Sequence, residues 1–141
     1  MQFVCDAPHG TWFRIETENE AIQESQLMSH AVERFFRQAH ENAAKTYVPP
    51  ASSRPFEQKI GLKGHIQRTM PIFVTLRDNE GKGLATAMLP PGAKEDKAFR
   101  PIVVGVSNGD PYTQYGEDIR ALGRHYGLAL DPVRCYPYRR G

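Results

Sequence analysis

From about residue 18 to residue 46, apolar side chains recur at three-, four- and seven-residue spacing, which predicts one long amphipathic helix. Ala21, Met28, Ala31, Val32, Phe35, Ala39 and Ala43 share one face, and Gln23, His30, Arg34, Arg37 and Glu41 fall opposite. Thr17 and Glu20 form a T-x-x-E capping box, in which hydroxyl and carboxylate each accept a backbone N–H of the first turn. Glu33 with Arg37 and Glu41 with Lys45 are spaced i to i+4 in the favourable order. Pro49 and Pro50 end the helix, since they lack an N–H and restrict the residue before them. At roughly 1.5 Å per residue such a helix spans about 40 Å.

Alternating patterns predict strands on either side of it. Residues 2–6 and 11–16 read as a hairpin joined by Ala7-Pro8-His9-Gly10. Phe13 and Ile15 point to one face of the second strand and Trp12, Arg14 and Glu16 to the other, so Trp12 is either covered by another element or exposed at an interface. Residues 48–68 read as a long irregular connection, with 56–66 as a packed loop or short strand. Residues 71–77 and 84–89 form the clearest hairpin, and the apolar run 101–106 suits a central strand. A second, shorter helix covers about 113–126 with Ile119 and Leu122 inward and Gly127 as its left-handed cap. Residues 133–138 are a final edge strand, placed at an edge by Pro137. The order ββα, long connection, βββα and β gives an α+β domain. It has an antiparallel or mixed sheet of five to six strands, the long helix across it, and a second helix near the C-terminus.

Composition narrows the class. With 141 residues, 40% of them hydrophobic and 24% charged, the chain fits one soluble domain spanning residues 1–141 with a single core. No apolar run approaches the roughly 20 residues a bilayer crossing needs, and the start has no basic segment leading into an apolar one, so a cytoplasmic protein without a membrane partner is expected. Cys5 and Cys135 lie near opposite ends without C-x-x-C spacing, which speaks against a disulfide framework or a zinc site. The net charge of +2 conceals a split: residues 1–50 carry 4 Lys/Arg against 7 Asp/Glu, and residues 51–141 carry 14 against 9. That split suits an acidic helix docked on a basic sheet, or a basic surface that meets a partner.

Candidate chemistry is sparse. Gly61-Leu62-Lys63-Gly64 and Gly81-Lys82-Gly83 lack the spacing of a phosphate-binding loop and read as turn glycines. No histidine has a second ligand at metal spacing, and no cofactor or metal is expected. The strongest binding feature is the C-terminus. In extended chain Arg134, Tyr136, Tyr138 and Arg140 share a side, followed by Arg139 on the other, and rings flanked by guanidinium groups suit stacking on bases and pairing with phosphate. Lys59, Lys63, His65 and Arg68 in the 48–68 connection add cations, as do Arg120 and Arg124 on the second helix.

The expected function is therefore a small binding or interaction domain without intrinsic catalysis, recognising a protein or a nucleic acid, with Arg134, Tyr136, Tyr138, Arg139, Arg140, Lys59, Lys63, His65 and Arg68 as its candidate contacts. Self-association through the sheet edge is one form of the protein-partner reading. The alternative is a small enzyme or ligand-binding protein. It joins Cys5 or Cys135 to His9, His65 or His125 from distant loops, or gathers Tyr47, Phe56 and His65 around a small ligand.

Overall fold

The computed structural model describes residues 1–135. Five strands form one sheet in the order β1 (Gln2–Ala7), β2 (Gly10–Arg14), β3 (Ile72–Arg77), β4 (Gly83–Leu89) and β5 (Ile102–Val104). Every neighbouring pair is antiparallel, so the architecture is an α+β meander. The central strand is β3, whose first five residues are all buried. The apolar run expected over 101–106 pairs for only three residues before the chain turns into a short 3-10 segment at Val106–Asn108.

The predicted long helix is two helices, α1 (Glu18–Met28) and α2 (Val32–Lys45). Thr17 and Glu20 form the expected capping box at the start of α1. The helix then stops at Ser29, whose φ of 51° and ψ of 48° lie in the left-handed region. The chain reverses there. Glu18 Oε1 accepts from Arg37 Nε at 2.6 Å, although these residues would stand about 28 Å apart along a continuous helix. Ser25 supports the break, because its hydroxyl accepts the Glu33 N–H at 2.8 Å near the uncapped start of α2.

His30, expected on the solvated polar face, is buried instead, with Nε2 2.9 Å from the Thr86 hydroxyl on β4. The break also rotates α2, so that Phe36 and not Phe35 enters the core. Burying an imidazole that reaches a sheet hydroxyl, together with Met28, gives the bent arrangement contacts a straight helix lacks.

Both faces of the sheet are covered. Helix α4 (Tyr112–Tyr126) lies on the face bearing Trp12, Val74, Leu76, Ala87 and Val103, and contributes Ile119 and Leu122 to that cluster. Trp12 is fully buried there, and its indole Nε1 donates to the Asp118 carbonyl at 2.9 Å. The Asp118 carboxylate is fully buried and accepts the backbone N–H and faces the ring Nδ1 of His9, each at 2.7 Å, which ties the β1–β2 turn to α4. On the opposite face Ile15, Phe73, Ala21, Val32, Phe36 and Met70 form a second cluster beneath α1 and α2.

The stretch read as irregular connection contains a third helix, α3 (Pro55–Thr69). Proline at its first position has a pre-set φ and no N–H to leave unpaired, so Pro55 starts the helix rather than breaking the chain. Of the edge strand expected over 133–138, residues 133–135 are turn, with the Arg134 and Cys135 N–H groups bonded to the Asp131 carbonyl. The remainder lies outside the described residues.

Candidate functional site

Helix α3 packs against α2 yet has no buried side chain. One stripe of it, Lys59, Leu62, Lys63, Ile66 and Gln67, continued by the buried capping residue Met70, follows amphipathic spacing and lines a groove. Phe36 and His40 line it from α2, and Gln2, Arg14, Ile15 and Glu16 close the end near the sheet. The groove has a volume of ≈ 650 Å³. That falls within the roughly 300–1,000 Å³ of ligand-sized sites. Its floor is apolar, from Ile15, Phe36, Leu62 and Ile66, whereas Lys59 and Lys63 stand one turn apart on its rim. Phe56 and Ile60 prolong the stripe, and they are 72% and 59% exposed.

The opposite side of α3 holds it in place. Thr46 donates its hydroxyl proton to the Ala43 carbonyl at 2.9 Å, so at 2.6 Å it accepts from His65 Nε2. The Tyr47 ring lies 5.4 Å from the His65 ring. A Cβ at Gly61 would stand 2.1 Å from the Tyr47 hydroxyl, so only glycine lets helix and ring approach this closely.

The groove's charge is unbalanced. Lys59, Lys63 and Arg14 line it together with His40, and Glu16 is the one carboxylate in the lining among the described residues. Neither lysine forms an ion pair among the described residues. His40 stacks on Phe36 with ring centroids 6.5 Å apart.

The candidate contacts named from sequence do not form one surface. Lys59 and Lys63 share the groove, whereas His65 and Arg68 fall on the opposite side of α3 by the helical pitch. Arg134 pairs with Glu95 at 2.5 Å, and the next residue, Cys135, belongs to the α4-side core. The sheet therefore separates Arg134 from the groove. Tyr136, Tyr138, Arg139 and Arg140 lie outside the described residues. Arg120 pairs with Glu117, and Arg120 and Arg124 border a cleft along α4.

Of the Cys/His groups named from sequence, His125 stands edge-on to Tyr126 with ring centroids 4.8 Å apart at the end of α4. Cys5 and Cys135 both pack in the α4-side cluster. Burial raises both thiols, with the Asp6 carboxylate adding to the effect at Cys5, and Cys135 is pushed up to about 11. A thiolate nucleophile needs the opposite shift. His65 belongs to the other face, and His9 is held by Asp118. Of the small-ligand trio, Tyr47 and His65 meet, but they pack against each other with Gly61 rather than around a space. A further cleft between His30, Phe35, Thr86 and Val104 encloses only ≈ 50 Å³, room for water rather than for a ligand. No group of three His, Cys, Asp or Glu side chains among the described residues is arranged to hold a metal ion.

Sequence reasoning singled out Lys59 and Lys63 for charge but missed Leu62, Ile66, Met70, Phe36 and His40. The usable signal was the 59-62-63-66-67-70 spacing behind Pro55, which two glycines obscure. No family model, curated protein or solved structure matches the chain. No helix among the described residues is long and apolar enough to cross a membrane.

Proposed function

We propose that the protein is a recognition module that binds a protein partner through α3 and the groove beside it. The observation that carries this reading is the exposure of Phe56 and Ile60 on α3, the helix that also lines a groove with an apolar floor. Water gains from covering such surface, and contiguous exposed apolar area marks contact sites more often than chance placement does.

A protein partner suits this surface better than a nucleic acid. Ile60, Leu62 and Ile66 offer aliphatic contact, which protein interfaces use and which neither phosphates nor base faces reward. The basic residues that argued for nucleic acid are divided between the two sides of the sheet.

The test compares proteins cross-linked in a cell extract by the wild-type chain and by a Phe56→Ser/Ile60→Ser variant, after circular dichroism has shown both to be folded. Loss of a discrete protein partner in the variant is the expected result. An unchanged set removes α3 as the contact element, and recovery abolished by nuclease returns the nucleic-acid reading.

A further inference from the structure

We infer that the groove between α2, α3 and the end of β2 accepts an acidic amphipathic segment, its carboxylates on Lys59 and Lys63 and its apolar side chains on the Leu62–Ile66 floor. This rests on the reading of α3 as the contact element and names the chemistry of what it contacts.

Charge complementarity selects the occupant. The two lysines stand one turn apart on the same rim, so an opposing segment meets both with acidic groups spaced one turn apart on its own surface. Residues 54–69 contain Arg54, Lys59, Lys63 and Arg68 against Glu57 alone, which makes the whole helix a positive surface. Arg54 reaches back towards Glu57, with 4.0 Å between the charged atoms, and Lys59 and Lys63 have no such carboxylate among the described residues. Their stems line the groove, so an incoming carboxylate meets the ammonium groups at the edge of an apolar trough, where water screens them less than on an open helix.

The same lining disfavours other occupants. A basic segment would bring like charges to Lys59 and Lys63. A free inorganic anion would leave the floor of Ile15, Phe36, Leu62 and Ile66 uncovered. The floor supplies affinity and the rim supplies orientation and choice of sign, the usual division between apolar contact and charge at an interface.

The experiment uses the full chain and two designed helical peptides with the same leucine stripe, one carrying Glu and the other Lys at the remaining positions. Binding is followed by calorimetry and by amide shifts. The Glu peptide is expected to bind at least ten-fold more tightly than the Lys peptide, to shift the amides of 59–67, 36 and 40, and to weaken as salt is added. The Lys59→Glu/Lys63→Glu variant, both positions being exposed, is expected to reverse the preference.

Equal binding of the two peptides, binding unaffected by charge reversal, shifts confined to another face, or no binding of either peptide overturns the acidic-segment inference. The underlying reading fails separately. If the Phe56→Ser/Ile60→Ser variant still captures the same cellular partner, α3 is not the contact element whatever the peptides do. If that variant loses the partner while the peptides show no preference of sign, α3 stands and only the acidic chemistry falls.

Discussion

His30 Nε2 donates to the Thr86 hydroxyl across 2.9 Å, a bond between the α1–α2 break and the fourth strand of the sheet. The Val32 N–H approaches His30 Nδ1 at 3.4 Å, which places the ring proton on Nε2. The Thr86 hydroxyl lies 3.4 Å from that of Thr75, which donates to Glu24 at 2.8 Å. Glu24 is fully buried and also holds Arg77. One polar chain thus runs from the helix break to the sheet's rim beneath α1, and it fixes where the two helices separate.

Replacing Thr86 with Val keeps the shape but leaves the imidazole N–H without an acceptor in a buried site. The expected loss is about 1–3 kcal/mol of folding stability. A His30→Leu/Thr86→Val double variant removes both partners and is expected to recover part of that loss. Urea unfolding of the two single variants and the double forms the cycle that measures the coupling.

Acid sensitivity follows from the same imidazole. Burial is the largest influence on His30 and lowers its pKa from the ordinary 6.5, against a smaller opposing effect of a backbone hydrogen bond and the Glu24 charge. The unfolded chain then binds the proton more readily than the folded one, so stability rises with pH and is lost as pH falls below about 6.5. Glu20 behaves differently. Burial is its largest single influence and acts upward, but bonds from the N-terminus, Glu16 and Thr17 outweigh it and lower its pKa from 4.5, so its contribution is lost only in stronger acid. Urea midpoints between pH 7.5 and 5 are expected to fall for the wild type and to fall less for His30→Gln.

The Glu24–Arg77 pair is expected to respond asymmetrically. Glu24 is wholly enclosed, whereas the Arg77 side chain keeps 21% exposure. Arg77→Ala strands a buried carboxylate and is expected to cost about 3–5 kcal/mol. Glu24→Gln retains a hydrogen-bonding group, and Arg77 can turn to water, so a smaller loss is expected. Equal losses in chemical denaturation would contradict this account.

Two glycines in one helix carry opposite expectations. A Cβ at Gly116 meets nothing within 4 Å, so Gly116→Ala is expected to raise stability by about 0.5–1 kcal/mol through better helix propensity. A Cβ at Gly123 would stand 2.7 Å from the Leu128 carbonyl oxygen, which belongs to backbone that has packed onto the helix end. Gly123→Ala is expected to lower stability by about 1–3 kcal/mol. Thermal unfolding of both variants separates the two cases.

Thiol labelling tests the placement of the cysteines. Cys135 is fully buried with its thiol raised to about 11, and Cys5 is part-buried and also raised. At pH 7.5 both are expected to react with a disulfide reagent far more slowly than a free thiol, Cys135 the slower, and both at the ordinary rate in denaturant. Fast labelling of either in the native protein would reopen thiol chemistry.

What the chain determines by itself is local. The Thr17–Glu20 box starts α1, Gly127 with φ of 71° ends α4, and the alternation of β3 and β4 sets an antiparallel hairpin, because each depends on groups a few residues apart. The basic character of Lys59 and Lys63 was equally legible.

The tertiary structure decided the rest. Nothing between Met28 and Val32 carries a glycine or proline, and the helical period runs straight through Ser29-His30-Ala31. The chain breaks there because His30 gains Thr86 and Met28 gains a core position only if it turns back, contacts more than fifty residues away in sequence. The groove was hidden for the same reason. Its floor needs Phe36 rotated inward by that break and α3 laid beside it through Tyr47 and His65, whereas Arg68, His65 and Arg134, grouped by charge alone, were sent to other sides by helix pitch and by the sheet between them.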